Sequence, residues 1–193
     1  MGRRRPGTGR YRTAGQPASR ATTGTPAYPG AVAQHDGNGW VRCRCGHRHW
    51  GVHGAAGLVL VRPGRDADDE AEVLLQLRAG WTHQGGTWGL PGGARDSHED
   101  VVAAALREAR EEVGVDPERL TIAGSSVGTD HGDWRYDYVI ACTDRGLVVH
   151  AVNDESDEVR WVRLGGVTAL PLHPALAATW ARLAEELGQL SAA

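Results

Sequence analysis

The chain has 193 residues, a formal net charge of −3 and 40% apolar residues, a balance that suits one domain of about 150 residues with a hydrophobic core. This charge gives no basis for non-specific binding to nucleic acid by the whole chain. Three cysteines are too few for a disulfide framework, and no apolar run is long enough for a signal peptide or a membrane span, so we expect a cytoplasmic protein.

Residues 1–36 differ in composition from the rest of the chain. They contain six arginines, and their first acidic residue is Asp36. Because no periodic apolar face is present, we expect a disordered basic tail, followed by a single domain over residues 37–190. Arg-rich, acid-poor segments also occur as organelle transit peptides and nucleic-acid-binding arms, but a tail without such a role is the favoured interpretation.

Residues 40–50 combine the residue types that bind zinc. The four candidate ligands are Cys43, Cys45, His47 and His49. A structural zinc site normally pairs two such ligands with a second pair well downstream, and no second pair follows. We therefore interpret the segment as a short strand and a turn at Gly46, and keep a zinc site as the less favoured alternative.

The pattern beyond residue 50 predicts several strands and two helices. Short apolar runs and alternating segments indicate strands at 55–61, 73–77, 120–127, 134–141, 147–152 and 159–164. Residues 174–187 place apolar side chains at helical spacing. The predicted order is several strands, a helix, more strands and a final helix. This order indicates a mixed α/β fold, which can also be described as mixed α+β.

The first helix is predicted between a glycine turn at 92–93 and Gly114. Ser97 or Asp100 can cap its N-terminus, and Gly114 can adopt the left-handed conformation that ends a helix. The glycine turn carries no bulky side chain on its glycines, so its backbone can approach an ion or a phosphate closely.

Three carboxylates of this helix share one face. Glu108, Glu111 and Glu112 stand at i, i+3 and i+4. Like charges at this spacing repel, so a sequence that keeps them is expected to bind a cation there. Clustered carboxylates without thiols suit hard cations such as Mg²⁺ or Mn²⁺. The spacing alone is ambiguous, because most runs of Arg and Glu form a solvated face.

Further fixed residues remove this ambiguity. Gly93, Glu99 and residues 107–115 (REAREEVGV) stand at the spacing of the Nudix box, so the chain resembles the Nudix hydrolase family. Every fixed Gly, Glu and Arg of the box matches, and the single soft departure is Ala109, where a larger aliphatic residue is more usual. The resemblance covers roughly residues 50–187 and implies an α/β/α sandwich, with a mixed sheet between helices.

The resemblance also implies the roles of the box residues. The implied metal ligands are Glu108, Glu111, Glu112 and the backbone carbonyl of Gly92. Arg107 joins the glutamates in the implied catalytic set, where it and Glu99 would orient the carboxylates by ion pairing, and Gly114 would be structural. Glu158 resembles the glutamate after the box that several family members use as an additional metal ligand or general base, with Glu155 as the runner-up.

The wider sequence is similar to the actinobacterial MutT-type branch of the family. That similarity implies cleavage of 8-oxo-dGTP between its α and β phosphates, which gives 8-oxo-dGMP and pyrophosphate. His173 is the implied reader of the purine, although a histidine at a helix start can be purely structural. Trp81, His83 and Gly93 are further candidates for contact with substrate, although an indole is more often part of a core.

Two alternatives stay open at this stage. One is a Nudix hydrolase of ADP-ribose, a nucleotide sugar or a dinucleoside polyphosphate, and the other is a non-catalytic nucleotide-sensing regulator. The proline expected after the box of ADP-ribose pyrophosphatases is missing, and three cysteines are too few for the zinc-bearing RNA-decapping branch. We expect a monomer or homodimer that binds a small nucleotide and neither nucleic acid nor a membrane.

Overall fold

A seven-stranded mixed sheet organises the residues that the computed structural model describes, which are 34–66 and 69–191. In this part of the chain the strands are β1 (Trp40–Arg42), β2 (Arg48–Trp50), β3 (Ala55–Arg62), β4 (Glu72–Arg78), β5 (Trp88–Gly89), β6 (Gly92–Ala94), β7 (Thr121–Asp130), β8 (Arg135–Cys142) and β9 (Ser156–Arg163). The helices are α1 (Val101–Val113) and α2 (Pro174–Ser191), with 3₁₀ turns at Pro117–Arg119 and Leu164–Ala169.

The sheet is mixed because its central pair is parallel. Its main order is β5-β4-β3-β8-β7, with β6 paired to β3 and β9 paired to β4. β3 runs parallel to β8, and every other pairing in this sheet is antiparallel. β1 and β2 form a separate antiparallel hairpin. This architecture confirms the predicted mixed sheet.

Helices cover both faces of the sheet. Successive side chains of a strand point to opposite faces, so Leu58 and Leu60 of β3 pack with α1 while Val59 and Val61 pack with α2. A strand buried on both faces reads as a continuous apolar run, which is why residues 55–61 lack polar alternation. The layers confirm the α/β/α sandwich.

Within residues 34–66 and 69–191, no helix combines the length and the hydrophobicity that are needed to span a bilayer.

Residues just before the predicted boundary at residue 37 bond to the segment that precedes α1. The backbone N–H groups of His35 and Gly37 donate to the buried carboxylate of Asp96, at 2.6 and 2.9 Å. The carboxylate of Asp36 accepts from the N–H and the hydroxyl of Ser97, at 2.8 and 2.6 Å. The rest of the expected tail, residues 1–33, lies outside the described residues and stays a prediction.

The strand predicted for residues 147–152 is wrong. Its backbone donors bond to the end of α1 instead of to the sheet: the N–H of His150 donates to the Val113 carbonyl and that of Val152 to the Glu112 carbonyl, at 3.2 and 2.9 Å. Helix C-termini leave several carbonyls without intrahelical partners, and this segment satisfies two of them. Its valines form a pattern that is typical of a strand. That pattern does not show which acceptors the backbone N–H groups will bond to.

The two ends of α1 follow from specific residues. The Asp100 side chain caps the N-terminus by accepting from the Ala103 N–H at 2.8 Å, whereas Ser97 bonds to Asp36 instead. Gly114 adopts the left-handed conformation at φ 67°, which favours glycine and ends the helix. The predicted caps Asp100 and Gly114 are therefore confirmed.

Replacing the cap should destabilise the fold without altering the cavity described below. We expect Asp100→Ala to lower the free energy of unfolding by about 1 kcal/mol, because the Ala103 N–H loses its partner. Urea denaturation of the variant and of Asp157→Ala, an exposed control on β9, measures the effect. Equal stabilities of the two variants would contradict the capping role.

Candidate active site

A cavity of about 800 Å³ opens between α1, the hairpin β1–β2, the turn between β7 and β8, and the start of α2. One part of its wall is acidic, with Glu108, Glu111, Glu112 and Glu155. Another part is aromatic, with Trp40, Trp50, Trp81, Trp134 and Tyr136. Anionic and aromatic walls in one cavity suit a ligand with a cation-bound phosphate group at one end and a flat ring at the other.

Glu112 is the most deeply buried carboxylate of this wall, with 3% of its surface exposed. Its Oε2 accepts from the Gly92 N–H at 2.8 Å and from the Gln76 side-chain amide at 2.9 Å. Gln76 is fixed in turn, since its Oε1 accepts from the Ser156 hydroxyl at 2.5 Å. Burial, reinforced by the charge of Glu108, raises the pKa of Glu112 to about 8. A cation beside it would favour the ionised form.

Arg107 links the helix to the glycine turn. Its guanidinium bonds Glu99 at 2.7 Å and Glu108 at 2.8 Å, donates to the Ala94 carbonyl at 2.9 Å, and lies 3.7 Å from Glu111. The hydrogen bond from Arg107 holds the pKa of Glu99 below its usual value. Arg107 thus ties Glu99 and Glu108 to the end of the glycine turn.

Like charge is crowded on the acidic wall. Burial raises the pKa of Glu108, and the neighbouring carboxylates of Glu111 and Glu155 raise it further, although Arg107 opposes them. The oxygen donors suit Mg²⁺ or Mn²⁺. Among the described residues, these glutamates do not bring three donor atoms within 4.8 Å of one another. That spacing is compatible with Mg²⁺, which takes one or two carboxylates and completes its shell with waters and phosphate oxygens.

The glycine turn packs closely against β3 through Gly92 and against the acidic wall through Gly93. A Cβ on Gly93 would lie 2.6 Å from the Glu108 carboxylate, and one on Gly92 would lie 2.5 Å from the Gly57 Cα. Both glycines line the cavity. Their backbone can therefore face a bound ion or phosphate directly, as the sequence predicts.

The structure does not bring Glu158 to this wall. Its carboxylate pairs with Arg160 at 2.7 Å, and Arg160 lies over the Trp88 ring on the α2 side of the sheet. Strand alternation explains the difference: Val159 and Trp161 face α1, so Glu158 and Arg160 face away from it. Glu155 precedes β9 and lines the cavity in its place.

The three predicted substrate contacts outside the box all line the cavity. His173 is partly buried, and this loss of solvation, together with the nearby charges of Arg78 and His83, lowers its pKa to about 4, so its ring is neutral at physiological pH. His83 meets the Trp40 ring edge-to-face at 5.3 Å. Trp81 is 70% exposed, and its indole N–H donates to the Asp154 carbonyl at 3.2 Å. An indole so exposed is not a core residue, which favours a role in contact with a ligand.

Sequence reasoning missed two parts of the site. Gln76 interrupts the apolar strand VLLQL, and a polar residue in a buried strand is a usable signal of a specific partner. The hairpin wall with Trp40 and Trp50 gives no such signal, because its place beside the cavity depends on distant residues. The stacking of His49 on Trp134, at 4.2 Å, is one such contact.

Comparison with known sequences settles the family. The sequence model of the NUDIX domain matches residues 52–184, which include the glycine turn, α1 and the acidic wall. The chain belongs to the Nudix family. It is a Nudix hydrolase, and its box supplies Glu108, Glu111 and Glu112 of the acidic wall.

Relatives extend the similarity over most of this Nudix hydrolase. A Mycobacterium tuberculosis protein named "Putative 8-oxo-dGTP diphosphatase 3" is 49% identical over 164 residues, which cover 82% of this chain and 73% of the relative. The crystal structure of the M. smegmatis Nudix hydrolase RenU superposes with a TM-score of 0.74 at 47% identity, over 79% of this chain and 96% of that one. A C. elegans Ap4A hydrolase complex, at 23% identity and a TM-score of 0.57, over 70% of this chain and 98% of that one, shows the fold alone.

The buried Glu112 predicts an unusual pH dependence of stability in the metal-free protein. The ordinary pKa of the group is 4.5 and burial raises it to about 8 in the folded state. Between these values the folded protein keeps a proton that the unfolded chain releases, so stability falls as pH rises. The slope is on the order of 1 kcal/mol per pH unit.

Denaturation in EDTA at about pH 5.5 and about pH 7.5 measures this dependence. Glu112→Gln is the matched variant, since it keeps the shape of the side chain and cannot titrate. We expect wild type to lose more stability than the variant as the pH rises. Identical pH profiles would show that Glu112 does not hold its proton in the folded state.

Proposed function

We propose that this Nudix hydrolase is a Mg²⁺- or Mn²⁺-dependent nucleoside triphosphate pyrophosphohydrolase, with 8-oxo-dGTP as its substrate. Cleavage between the α and β phosphates would give 8-oxo-dGMP and pyrophosphate and so remove an oxidised guanine nucleotide from the cytoplasmic pool. The observation that carries the proposal is the buried Glu112, held by Gly92 and Gln76 beside three further carboxylates in one cavity. The 49% identity to the M. tuberculosis relative supports the choice of substrate.

The acidic wall would bind the pyrophosphate through a cation. When bound, the cation neutralises phosphate charge and lowers the pKa of an attacking water. Glu108, Glu111, Glu112 and the Gly92 carbonyl would hold it. Arg107 keeps Glu108 in place through the ion pair at 2.8 Å, and so acts as a positioning residue.

Glu155 is our candidate for the general base. It lines the cavity, and its charge acts on Glu108, so it lies close to the other carboxylates. The backbone fixes its place: its carbonyl accepts from the Ala79 N–H at 2.8 Å and its N–H donates to the Asn153 side chain at 3.1 Å. A carboxylate at this position can take a proton from water as the nucleophile attacks.

The aromatic wall would bind the base. A cavity of about 800 Å³ is large enough for a nucleotide. Trp40 and Trp81 offer ring faces or edges for a purine, and the neutral imidazole of His173 can both donate and accept a hydrogen bond. A ring that carries an added oxygen and N–H could be distinguished through such polar contacts.

Turnover of a substrate panel tests the proposal. The panel contains 8-oxo-dGTP, the common nucleoside triphosphates, ADP-ribose and diadenosine polyphosphates, each with Mg²⁺ or Mn²⁺ and with EDTA, and chromatography identifies the products. We expect metal-dependent release of pyrophosphate from 8-oxo-dGTP. Glu112→Gln should reduce kcat/KM by more than about 100-fold, because a direct ligand matters more than its supporting residues.

Other outcomes overturn separate parts of the proposal. Preferred turnover of ADP-ribose or a dinucleotide would keep the acidic wall as the catalytic site and reject the substrate. Absence of turnover of the whole panel, with nucleotide binding equal in wild type and Glu112→Gln, would point to a sensor. Retained folding of the variant is checked by circular dichroism.

A second comparison separates the two candidate glutamates after the box. We expect Glu155→Gln to lower kcat by about 100-fold or more and to alter its pH profile, because the base that accepts the proton is lost. Glu158→Gln is the matched control, since its carboxylate pairs with Arg160 on the other side of the sheet. A larger loss in Glu158→Gln than in Glu155→Gln would reverse the assignment.

A further inference from the structure

A second group of ligand-type side chains lies outside the acidic wall. The sulfur atoms of Cys43 and Cys45 and a ring nitrogen of His131 all lie within 4.8 Å of one another. The two cysteines follow β1, and His131 follows β7, so two segments far apart in sequence supply the group. Cys43 is buried, which is common for a cysteine that serves structure.

Two further donors lie beside this group. The Nε2 of His49 lies 3.1 Å from the Cys45 sulfur, and an oxygen of Asp133 lies 3.1 Å from the Cys43 sulfur. His49 also stacks on His131, with ring centroids 4.9 Å apart. A nitrogen and an oxygen donor thus lie next to the three-residue group, one beside each cysteine sulfur.

The backbone holds these side chains in place. The turn of the hairpin closes through a bond from the Cys43 N–H to the His47 carbonyl at 2.9 Å, and Gly46 takes the left-handed conformation it requires, at φ 89°. The opposing turn closes through a bond from the His131 N–H to the Trp134 carbonyl at 3.0 Å. Asp133 links the two turns by accepting from the Arg44 N–H at 3.0 Å.

We propose that Cys43, Cys45 and His131 bind a zinc ion, with His49 as the fourth ligand once its ring turns out of the stack with His131. Two thiolates and two imidazoles form a common tetrahedral zinc set, and thiolates select zinc over the hard cations that suit the acidic wall. Each thiol releases its proton to solvent as it coordinates. Asp133 remains beside Cys43, where it would orient the ligand turns through Arg44.

The proposed ion would fix one wall of the cavity. His49 and His131 line both the zinc cluster and the cavity, and Trp40 and Trp50 project from the same hairpin. A hairpin of two three-residue strands has little core of its own. Zinc coordination would tie it to the turn between β7 and β8, so the role is structural and independent of the reaction proposed above.

Metal analysis of the full chain, purified without a histidine tag, tests the site. A chelator first removes bound metal, and the protein is then reloaded with zinc and desalted. Its zinc content is measured by elemental mass spectrometry. We expect about one zinc per chain. Reconstitution with Co²⁺ instead of zinc should give the absorption bands of tetrahedral Co²⁺ and a thiolate-to-metal charge-transfer band.

Matched variants assign the ligands. Cys45→Ser and His131→Gln should weaken zinc affinity by about tenfold or more and lose the thermal stabilisation that zinc gives wild type. Cys142→Ser is the cysteine control, because Cys142 lies on β8 away from the cluster, and His47→Gln controls for binding by a histidine of the same hairpin. Both controls should retain zinc.

Either of two results overturns the proposal. One is a reloaded wild type that holds no zinc at a protein concentration of about 10 μM. Structural zinc sites bind zinc far more tightly than retention at this concentration requires. The other is equal zinc retention by Cys45→Ser, His131→Gln and the controls, which would mean adventitious surface binding. If His49→Gln alone retains full affinity, Asp133 takes its place as the fourth ligand and the three-residue site stands.

Discussion

The carboxylate of Glu112 connects the three elements that build the acidic wall. It belongs to α1, accepts from the Gly92 N–H of the glycine turn and from Gln76 on β4, and is almost fully buried. An ionised carboxylate in such a place is costly unless a cation compensates it. The fold therefore contains a position whose charge state depends on what the cavity holds, and the wall is arranged around it.

Arg107 serves the neighbouring carboxylates in a different way. Its ion pairs with Glu99 and Glu108 and its bond to the Ala94 carbonyl fix the first turns of α1 against β6. One guanidinium thus holds three groups in fixed positions, which would otherwise need separate side chains. It can do so because its N–H donors lie in one plane and point in fixed directions. The glycine turn completes the arrangement, since a side chain on Gly93 would collide with Glu108.

Features set by local spacing could be predicted from sequence. The shared face of Glu108, Glu111 and Glu112, the Asp100 cap and the end of α1 at Gly114 depend on helix geometry, which repeats along any sequence. The order of apolar runs predicted the mixed α/β class, whereas the α/β/α layering was implied by the resemblance to the Nudix family. Each of these depends on residues within a few turns or strands of one another.

Features set by long-range contacts could not be predicted. Whether Glu155 or Glu158 reaches the cavity depends on where β9 begins, because one residue of shift reverses every side chain. Residues 147–152 have strand-like composition, but their donors bond to α1. No spacing rule for nearby ligand pairs would place His131 beside Cys43 and Cys45, because His131 lies in a distant turn of the chain.

The bonds between the 147–152 segment and α1 have a consequence for how the acidic wall can vary. Val152 is anchored to the Glu112 carbonyl, and Glu155 is anchored by its own carbonyl to Ala79, so only Asn153 and Asp154 span the gap. Glu155 is thereby held at a set distance from the turn of α1 that carries Glu112. A deletion between Val152 and Glu155 would break one of these two anchors and shift Glu155 relative to Glu112, even if every side chain of the wall were kept. The minimum length of this loop is thus part of the site itself, whereas added residues could bulge into solvent, as in most surface loops.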